Sequence, residues 1–188
     1  RGTAWKGVFD IAVALIALAV LWPVFLVVAL AIRLDSPGPA LFRQTRVGIG
    51  GQSFPMLKFR SMVVDAERVG GYSTAVGDPR ITRVGHFIRR TSLDELPQLF
   101  NVLRGDMSWV GPRPDVPAQK GNYSDADWQA RHRVRPGITG LAQATLRSAA
   151  TPAQRLALDL EYVERASLLF DLKILLLTVR QVLGKGSF

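Results

Sequence analysis

Hydrophobic residues are concentrated in one long block near the beginning of the chain. The 22 residues from Ile11 to Ile32 include no charged side chain, and as a straight helix they would be roughly 33 Å long, close to the thickness of a bilayer's hydrocarbon core. Pro23 lies mid-block, where proline removes a helical hydrogen bond and crowds the preceding turn. The flanking Lys6 and Arg33 have the same sign and indicate no orientation. A kinked membrane span and a re-entrant helix that turns near Pro23 both remain open.

A second apolar stretch, LLFDLKILLLTVRQVLGKG, lies at the C-terminus. Asp171, Lys173 and Arg180 interrupt it, so it is too charged to span a bilayer. As a helix it would lie at the membrane interface, with its apolar side down and its basic residues toward the headgroups. An ordinary core helix fits the same residues equally well, and the sequence leaves both interpretations open.

Between these stretches the segments are shorter and the pattern is mixed. Two runs of apolar and basic residues flank Gly50 and Gly51 and predict a β-hairpin. Residues 63–85 are polar and contain several glycines, which predicts a loop or short helices. Helices are predicted within NYSDADWQARHR and TPAQRLALDLEYVERA. The fold class predicted is α+β, mostly helical, with one small hairpin and no internal repeat.

The charge of the chain favours anionic partners. Its 188 residues include 24 Lys and Arg against 15 Asp and Glu, a formal net charge of +9. Phosphates, nucleic acid and anionic lipid headgroups all suit such a balance. The chain has no cysteine, which excludes a disulfide framework, a thiolate metal site and a cysteine nucleophile.

Two adjacent carboxylates, Asp94 and Glu95, stand out against this basic background in the segment SLDELPQLF. A capping box, with Ser92 as N-cap and Glu95 reaching back, explains them structurally. Pro97 disturbs that account, because it would then lack an N–H inside the helix. If the helix starts at Asp94 instead, Pro97 falls among the first residues, whose N–H groups have no helical partner. Asp94 would then lie at the positive end of the helix dipole and stay ionised.

A carboxylate of this kind has two chemical uses beside basic residues. It can hold Mg²⁺, which takes few protein ligands and shares the rest with substrate phosphates. It can also attack phosphorus and form a covalent phosphoryl intermediate.

Several basic residues are candidates for binding phosphate. Lys58 and Arg60 lie two apart, so on a strand they would share one face and could reach one anion together. Arg113 lies between Pro112 and Pro114, which hold its backbone extended, and its guanidinium fork suits phosphate. A solvated surface position is the structural alternative for each of them.

Two other features have structural explanations. Asp125 and Asp127 resemble the paired metal ligands of nucleotide-sugar transferases, but Ser124 followed by Asp127 is better explained as helix N-capping. His86 and His132 have no partner histidine at metal-ligand spacing, and both are taken as structural.

The chain as a whole resembles the bacterial sugar transferase family, the monotopic phosphoglycosyl transferases. The resemblance runs nearly end to end, through FDIAVALIALAVLWPVFLVVA, SPGPALFRQTRVG, FPMLKFRSM, DPRITRVGHFIRRTSLDELPQLFNVLRGDMSWVGPRP, HRVRPGITGLAQ and DLEYV. Several long blocks in the right order make it highly specific. The chain begins at Arg1 without a methionine, which also fits the catalytic part of a longer protein.

The resemblance implies a reaction. Family members transfer a sugar 1-phosphate from a UDP-sugar to polyprenol phosphate and release UMP, as the first membrane step of polysaccharide or glycoconjugate assembly. The family mechanism is ping-pong, through a covalent phosphosugar enzyme, with Mg²⁺ as cofactor. UDP-sugar, undecaprenyl phosphate and membrane lipid are the partners implied. Nucleic acid is not expected, and a homo-oligomer is left open.

The resemblance also assigns roles to residues. Asp94 is implied as the nucleophile and a Mg²⁺ contact, and Glu95 as its catalytic neighbour, which supports the metal or a proton transfer. The basic positions expected to hold substrate phosphates, from the residue pattern and the resemblance together, are Lys58, Arg60, Arg89, Arg113 and Arg135.

For the membrane, the resemblance implies a re-entrant helix over residues 1–34 and a catalytic domain over residues 35–188, as one integrated unit. The domain is expected on the cytoplasmic face of the bacterial inner membrane, with an interfacial C-terminal helix. The helix break is expected at Trp22 and Pro23, where several family members have Ser in place of Trp22.

Two alternatives compete with this prediction. A membrane-tethered basic module that binds anionic lipid or nucleic acid would explain the net charge but not the motifs. The same transfer by direct displacement would need no covalent enzyme. The sugar is not readable from the sequence.

Overall fold

The computed structural model describes residues 3–70, 77–146 and 151–183. Its helices are α1 Thr3–Asp35, α2 Ala66–Gly70, α3 Arg83–Arg90, α4 Gln98–Arg104, α5 Asp125–Arg131, α6 Leu141–Leu146, α7 Pro152–Arg165 and α8 Leu168–Leu183. Its strands are β1 Leu41–Val47, β2 Ser53–Phe59, β3 Ser108–Val110 and β4 Gly137–Thr139. Short 3₁₀ turns occur at Ile49–Gly51, Leu93–Glu95 and Pro117–Asn122. The predicted α+β, mostly helical class is confirmed.

The N-terminal helix is continuous through its proline. α1 runs for 33 residues with Pro23 inside it, so the predicted helix–break–helix at Trp22 and Pro23 is not found as two helices. Trp22 and Pro23 lie on the exposed side. Leu18 and Phe25 pack against a buried hydrophobic cluster that includes Leu99 of α4. Packing on both sides of the proline offsets the hydrogen bond that it removes. Re-entrance itself stays a prediction.

Both ends of α1 contact the same globular unit. Near its beginning, the Trp109 backbone N–H donates to Asp10 Oδ1 at 3.3 Å and the Trp109 indole donates to the Asp10 carbonyl at 3.1 Å. At its end, Asp35 Oδ2 accepts from the Val84 N–H at 2.9 Å, and Ile32 is buried beside Ile88. The helix therefore lies along the domain instead of projecting from it.

The opposite face of α1 is apolar and uncovered within the described chain. Among the described residues, this is the helix long and apolar enough to cross a membrane by length and composition. Its exposed large hydrophobic residues are Trp5, Val8, Ile11, Leu15, Ile16, Val20, Trp22, Leu26, Val27, Leu30 and Leu34. Such a continuous apolar surface indicates contact with lipid or with another protein.

The predicted hairpin is present and is fixed to α4. β1 and β2 pair antiparallel, and Gly50 and Gly51 between them have the positive φ angles that tight turns require. The fully buried Asn101 accepts from the Leu57 N–H at 2.9 Å and donates to the Pro55 carbonyl at 2.8 Å. This amide holds α4 against the outer edge of β2.

A second, parallel strand pair was not predicted from the sequence. β3 pairs with β4, and the backbones approach so closely that a Cβ on Gly137 would lie 2.1 Å from the Gly111 nitrogen. Glycine is required at this crossing because any side chain would collide with backbone.

The C-terminal helix has one buried side, as a core helix would, and one exposed apolar side, as an interfacial helix would. Asp171 and Ile174 of α8 are buried, while Leu169 and Leu176 are 80% and 63% exposed. Lys6 of α1 pairs with Asp171. α8 thus contributes to the core on one side and presents an apolar surface on the other.

Candidate active site

The backbone around the two carboxylates differs from both predictions. Ser92 adopts a left-handed conformation and its side chain caps nothing. Asp94 and Glu95 lie in the separate 3₁₀ turn, and α4 begins only at Gln98, with Pro97 as its N-cap residue. Proline suits this position because the helix needs no N–H there. Asp94 is therefore not in the first turn of an α-helix.

Glu95 is held by two cations. Its Oε1 accepts from Lys58 Nζ at 3.2 Å and from Arg113 Nη2 at 3.1 Å. Burial favours the neutral acid, but the charges of Arg113 and Lys58 outweigh it and lower the pKa of Glu95 below its ordinary value. The ionised form of Glu95 is thus favoured, and it holds Lys58 and Arg113 beside Asp94.

Asp94 has a different environment. Among the described residues no side chain forms a hydrogen bond or ion pair with its carboxylate. Burial raises the pKa of Asp94, with a further contribution from Glu95, while Lys58, Arg89 and Arg113 oppose the rise. Because Asp94 lies outside α4, the expectation that a helix dipole keeps this group ionised is wrong; the three cations favour the ionised form but do not offset burial.

The pKa of Lys58 is also shifted by burial and by neighbouring charges. Its side chain is largely buried between the two carboxylates and Arg113. Burial lowers the pKa of Lys58, and the neighbouring Arg113 lowers it further, against the opposing charges of Glu95 and Asp94. Lys58, Glu95 and Arg113 form one coupled group around Asp94.

The donor set is compatible with Mg²⁺. Within the described chain no three Asp, Glu or His side chains come together, so a cation here would rely on Asp94 and on substrate phosphates. This matches the preference of Mg²⁺ for one or two carboxylates plus phosphate oxygens. Glu95 is already engaged by two cations, which leaves Asp94 as the available ligand.

Arg113 is positioned by a buried network that sequence reasoning missed. Arg131 Nη2 donates to the Arg113 carbonyl at 2.7 Å, and Arg46 Nη1 donates to the Pro114 carbonyl at 2.8 Å. Arg131 is itself paired with Asp115 and Asp159 in the interior. An arginine within a short polar helix gives no sequence signal of burial, and only the fold identifies it.

The other predicted phosphate ligands divide into two groups. Arg89, near the end of α3, acts electrostatically on Asp94. Arg60 is instead a structural residue. It is 5% exposed, and its guanidinium donates to the carbonyls of Ser36 and Pro37. Because β2 ends at Phe59, strand alternation does not extend to Arg60. The prediction that Lys58 and Arg60 reach one anion together is wrong.

Arg135 also lies apart from the carboxylates. Its guanidinium is near Gly7 of α1 and near Gly105, which follows the last residue of α4. Asp94 precedes the first residue of the same helix, so Arg135 and Asp94 are at opposite ends of α4.

Ser124 caps α5 by accepting from the Asp127 N–H, as predicted.

The family profile of bacterial sugar transferases matches residues 1–185. The chain belongs to the bacterial sugar transferase family. The family match, together with the names of the relatives below, confirms the predicted enzyme class, a sugar-phosphate transferase.

Three curated relatives show the range of this similarity. A UDP-glucose:undecaprenyl-phosphate glucose-1-phosphate transferase of Caulobacter vibrioides is 48% identical to this sugar transferase, over 95% of the chain and 69% of the relative. An exopolysaccharide production protein of Rhizobium leguminosarum is 47% identical over 97% of the chain and 96% of the relative. A UDP-N-acetylgalactosamine-undecaprenyl-phosphate N-acetylgalactosaminephosphotransferase of Aeromonas hydrophila is 42% identical over 95% of the chain and 44% of the relative. This sugar transferase spans less than half the length of several relatives.

Proposed function

We propose that this protein transfers a sugar 1-phosphate from a UDP-sugar to polyprenol phosphate and releases UMP. The names of the relatives support this donor and acceptor. The observation that carries the proposal is Asp94, a carboxylate with no hydrogen-bond partner in the described chain, among the charges of Lys58, Arg89 and Arg113. The donor is written as a UDP-sugar because relatives of similar identity are named for glucose and for N-acetylgalactosamine.

In the first step, an Asp94 carboxylate oxygen attacks the β-phosphorus of the UDP-sugar. The bond from that phosphorus to the bridging oxygen breaks, and UMP leaves with the electron pair. A negative nucleophile and a diphosphate repel each other, so cations must flank the reacting atoms. Lys58 and Arg113, fixed by Glu95, supply that charge without having to reorganise during the reaction.

In the second step, a phosphate oxygen of polyprenol phosphate attacks the same phosphorus. The bond to Asp94 breaks, and the free carboxylate is restored. The product is a polyprenol diphosphate sugar, and no proton has to be added or removed. Mg²⁺ bound through Asp94 and the substrate phosphates would neutralise charge on the diphosphate.

The acceptor is a lipid, and α1 explains how the site reaches it. Both ends of α1 contact the same unit, and its outer face is apolar along its whole length. A helix attached in this way supports a domain that lies against one face of a bilayer and is not divided between two sides. We place that domain on the cytoplasmic face, where UDP-sugars are made.

The proposal is tested by substitution at Asp94. Purified protein is incubated with Mg²⁺, a panel of UDP-sugars and a short-chain polyprenol phosphate, and UMP is measured. Asp94→Asn is expected to lower UMP release by a factor of at least about 10³, because the nucleophile is lost. Asp125→Asn, at an exposed acidic residue on α5, is the matched control and is expected to keep the normal rate.

The covalent step has its own measurement. Without acceptor, intact-mass spectrometry is expected to show one sugar phosphate per chain, absent from Asp94→Asn. Turnover without any adduct would favour direct displacement. The absence of UMP release with every donor would favour a binding module and overturn the proposed function.

A further inference from the structure

Helix α3 has two different faces. Its inner face is built from Val84, Gly85 and Ile88, which contact the end of α1 and the segment after β2. Gly85 is needed there because a Cβ would lie 2.0 Å from the Ser61 carbonyl oxygen. This tight fit fixes the rotation of the helix, so the residues on its outer face have set positions.

The outer face lines an open cleft of about 480 Å³. The described residues that line it are Ile81, Arg83, His86, Phe87, Arg89 and Arg90. Three of these six are arginines, one is a histidine and none is acidic. Arg83, His86 and Arg90 lie three and four residues apart, which places them on one side of the helix. A cleft with this lining favours an anionic ligand.

The cleft also has an apolar part. Phe87 is 53% exposed, and Ile81 lies beside Met62 through an isolated strand bridge. Leu34, at the end of α1 against which α3 packs, is 79% exposed. Ile81 and Phe87 thus give the cleft an apolar part beside its cations, and an occupant can combine a phosphate with hydrocarbon.

Arg89 connects the cleft to the candidate active site. It is one of the lining residues, and its charge also acts on Asp94. Because α3 ends at Arg90 and the turn with Asp94 begins at Leu93, a phosphate held by the α3 cations would lie near the carboxylate proposed to carry the phosphosugar. This position suits the acceptor phosphate, which is the second nucleophile of the proposed transfer, better than it suits a headgroup far from the reaction.

We propose that the α3 cleft binds the lipid phosphate acceptor, with its phosphate on Arg83, His86 and Arg90 and its first hydrocarbon units on Ile81 and Phe87. This inference rests on the proposed function, whose acceptor it locates. His86, which the sequence analysis treats as structural, has a binding role in this cleft.

The test separates the acceptor from the donor. The double variant Arg83→Gln, Arg90→Gln is assayed with varied polyprenol phosphate in neutral detergent and then with varied UDP-sugar. Loss of two charge-assisted hydrogen bonds predicts an increase of about tenfold or more in KM for the acceptor. KM for the UDP-sugar is expected to change far less. Arg68→Gln, at an exposed arginine paired with Asp65 across one turn, is the matched control.

A second arm distinguishes the acceptor from bulk lipid. The same variants are sedimented with phosphatidylcholine vesicles that contain phosphatidylglycerol. Weaker vesicle binding with an unchanged acceptor KM would assign the cleft to ordinary anionic headgroups and overturn the inference. Equal increases in both KM values, or no increase in either, would also overturn it. Failure of the proposed function is distinct, since the wild-type protein would then release no UMP.

Discussion

Asp94 and Glu95 are adjacent in sequence, yet their surroundings drive their pKa values in opposite directions. Glu95 accepts from Lys58 and Arg113, and their charges outweigh its burial. Asp94 is half-buried without such bonds in the described chain, and its partial burial outweighs the more distant cations. One acid thus organises the cations while the other is left reactive. Sequence motifs locate the pair but do not divide these roles.

The pH dependence of adduct formation follows from the raised pKa of Asp94. The ionised nucleophile is present above that pKa and is lost as pH falls through it, so the rate falls on the acid side. Lys58 opposes the rise, so Lys58→Met is expected to raise the pKa further and move the acid limb to higher pH. Single-turnover UMP release across the acid range measures this limb.

Lys120→Met is the control for that experiment, because Lys120 is exposed in the Pro117–Asn122 turn. Its acid limb is expected to coincide with that of the wild-type protein. A limb in Lys58→Met that stays in place or moves to lower pH would contradict the assigned electrostatics.

Among the elements, α3 shows how one small residue sets the geometry of a surface. Gly85 has its N–H bonded to Thr82 Oγ1 at 2.9 Å and its Cα against the Ser61 carbonyl. The N-cap and the close approach occur within one turn, so α3 has little freedom to rotate or slide. The cations on its outer face depend on this contact.

Gly85→Ala is therefore expected to destabilise the protein by about 1–3 kcal/mol, through overpacking against backbone that cannot yield. Thermal unfolding in detergent, followed by circular dichroism, measures the loss. Gly121→Ala is the matched control, since a Cβ there meets nothing within 4 Å. Equal midpoints for the two variants would show that α3 accommodates the methyl group.

The predictability of these elements depends on their length and on local chemistry. The hairpin and α5 were predicted because Gly50, Gly51 and Ser124 give local turn and cap signals. β3 and β4 have three residues each, too few for a period, and their pairing joins distant parts of the chain. The start of α4 was mispredicted because Pro97 fits a cap as well as a first turn.

The same limit applies to the site. Motifs in the sequence predict Asp94, Glu95 and Arg113 as candidate site residues, while Arg131 was missed because its role depends on burial between Asp115 and Asp159. Burial of a charge is a property of tertiary packing, and a short window of sequence does not contain it.

At the scale of the whole molecule, the first helix is tied to the last. Lys6 pairs with Asp171 and also donates to the Val110 carbonyl at 3.3 Å. The Tyr162 hydroxyl lies 2.8 Å from that carbonyl and 2.8 Å from Asp171 Oδ1. This Lys6–Asp171 group joins α1, β3, α7 and α8 in the interior, and packing alone would not fix their relative positions as closely.

Lys6→Met is expected to destabilise the protein by about 3–5 kcal/mol, because it leaves the buried Asp171 without its cation. Adding Asp171→Leu to Lys6→Met is expected to recover much of that loss, since the unpaired charge is then gone. Thermal unfolding of the single and double variants measures both effects.

Lys173→Met, which removes an exposed charge from α8, serves as the control and is expected to keep the wild-type midpoint. A double variant no more stable than Lys6→Met would show that the pair contributes through packing and not through charge.

The link between α1 and α8 has a consequence for biosynthesis. The two partners are 165 residues apart, so at the usual rate of translation Lys6 leaves the ribosome on the order of ten to thirty seconds before Asp171. In the first part of that interval α1 has neither its acidic partner nor the hairpin and α4, which later cover its inner side. The bilayer or a chaperone must therefore receive the nascent helix first, and the rest of the protein assembles onto a segment that has already been delivered.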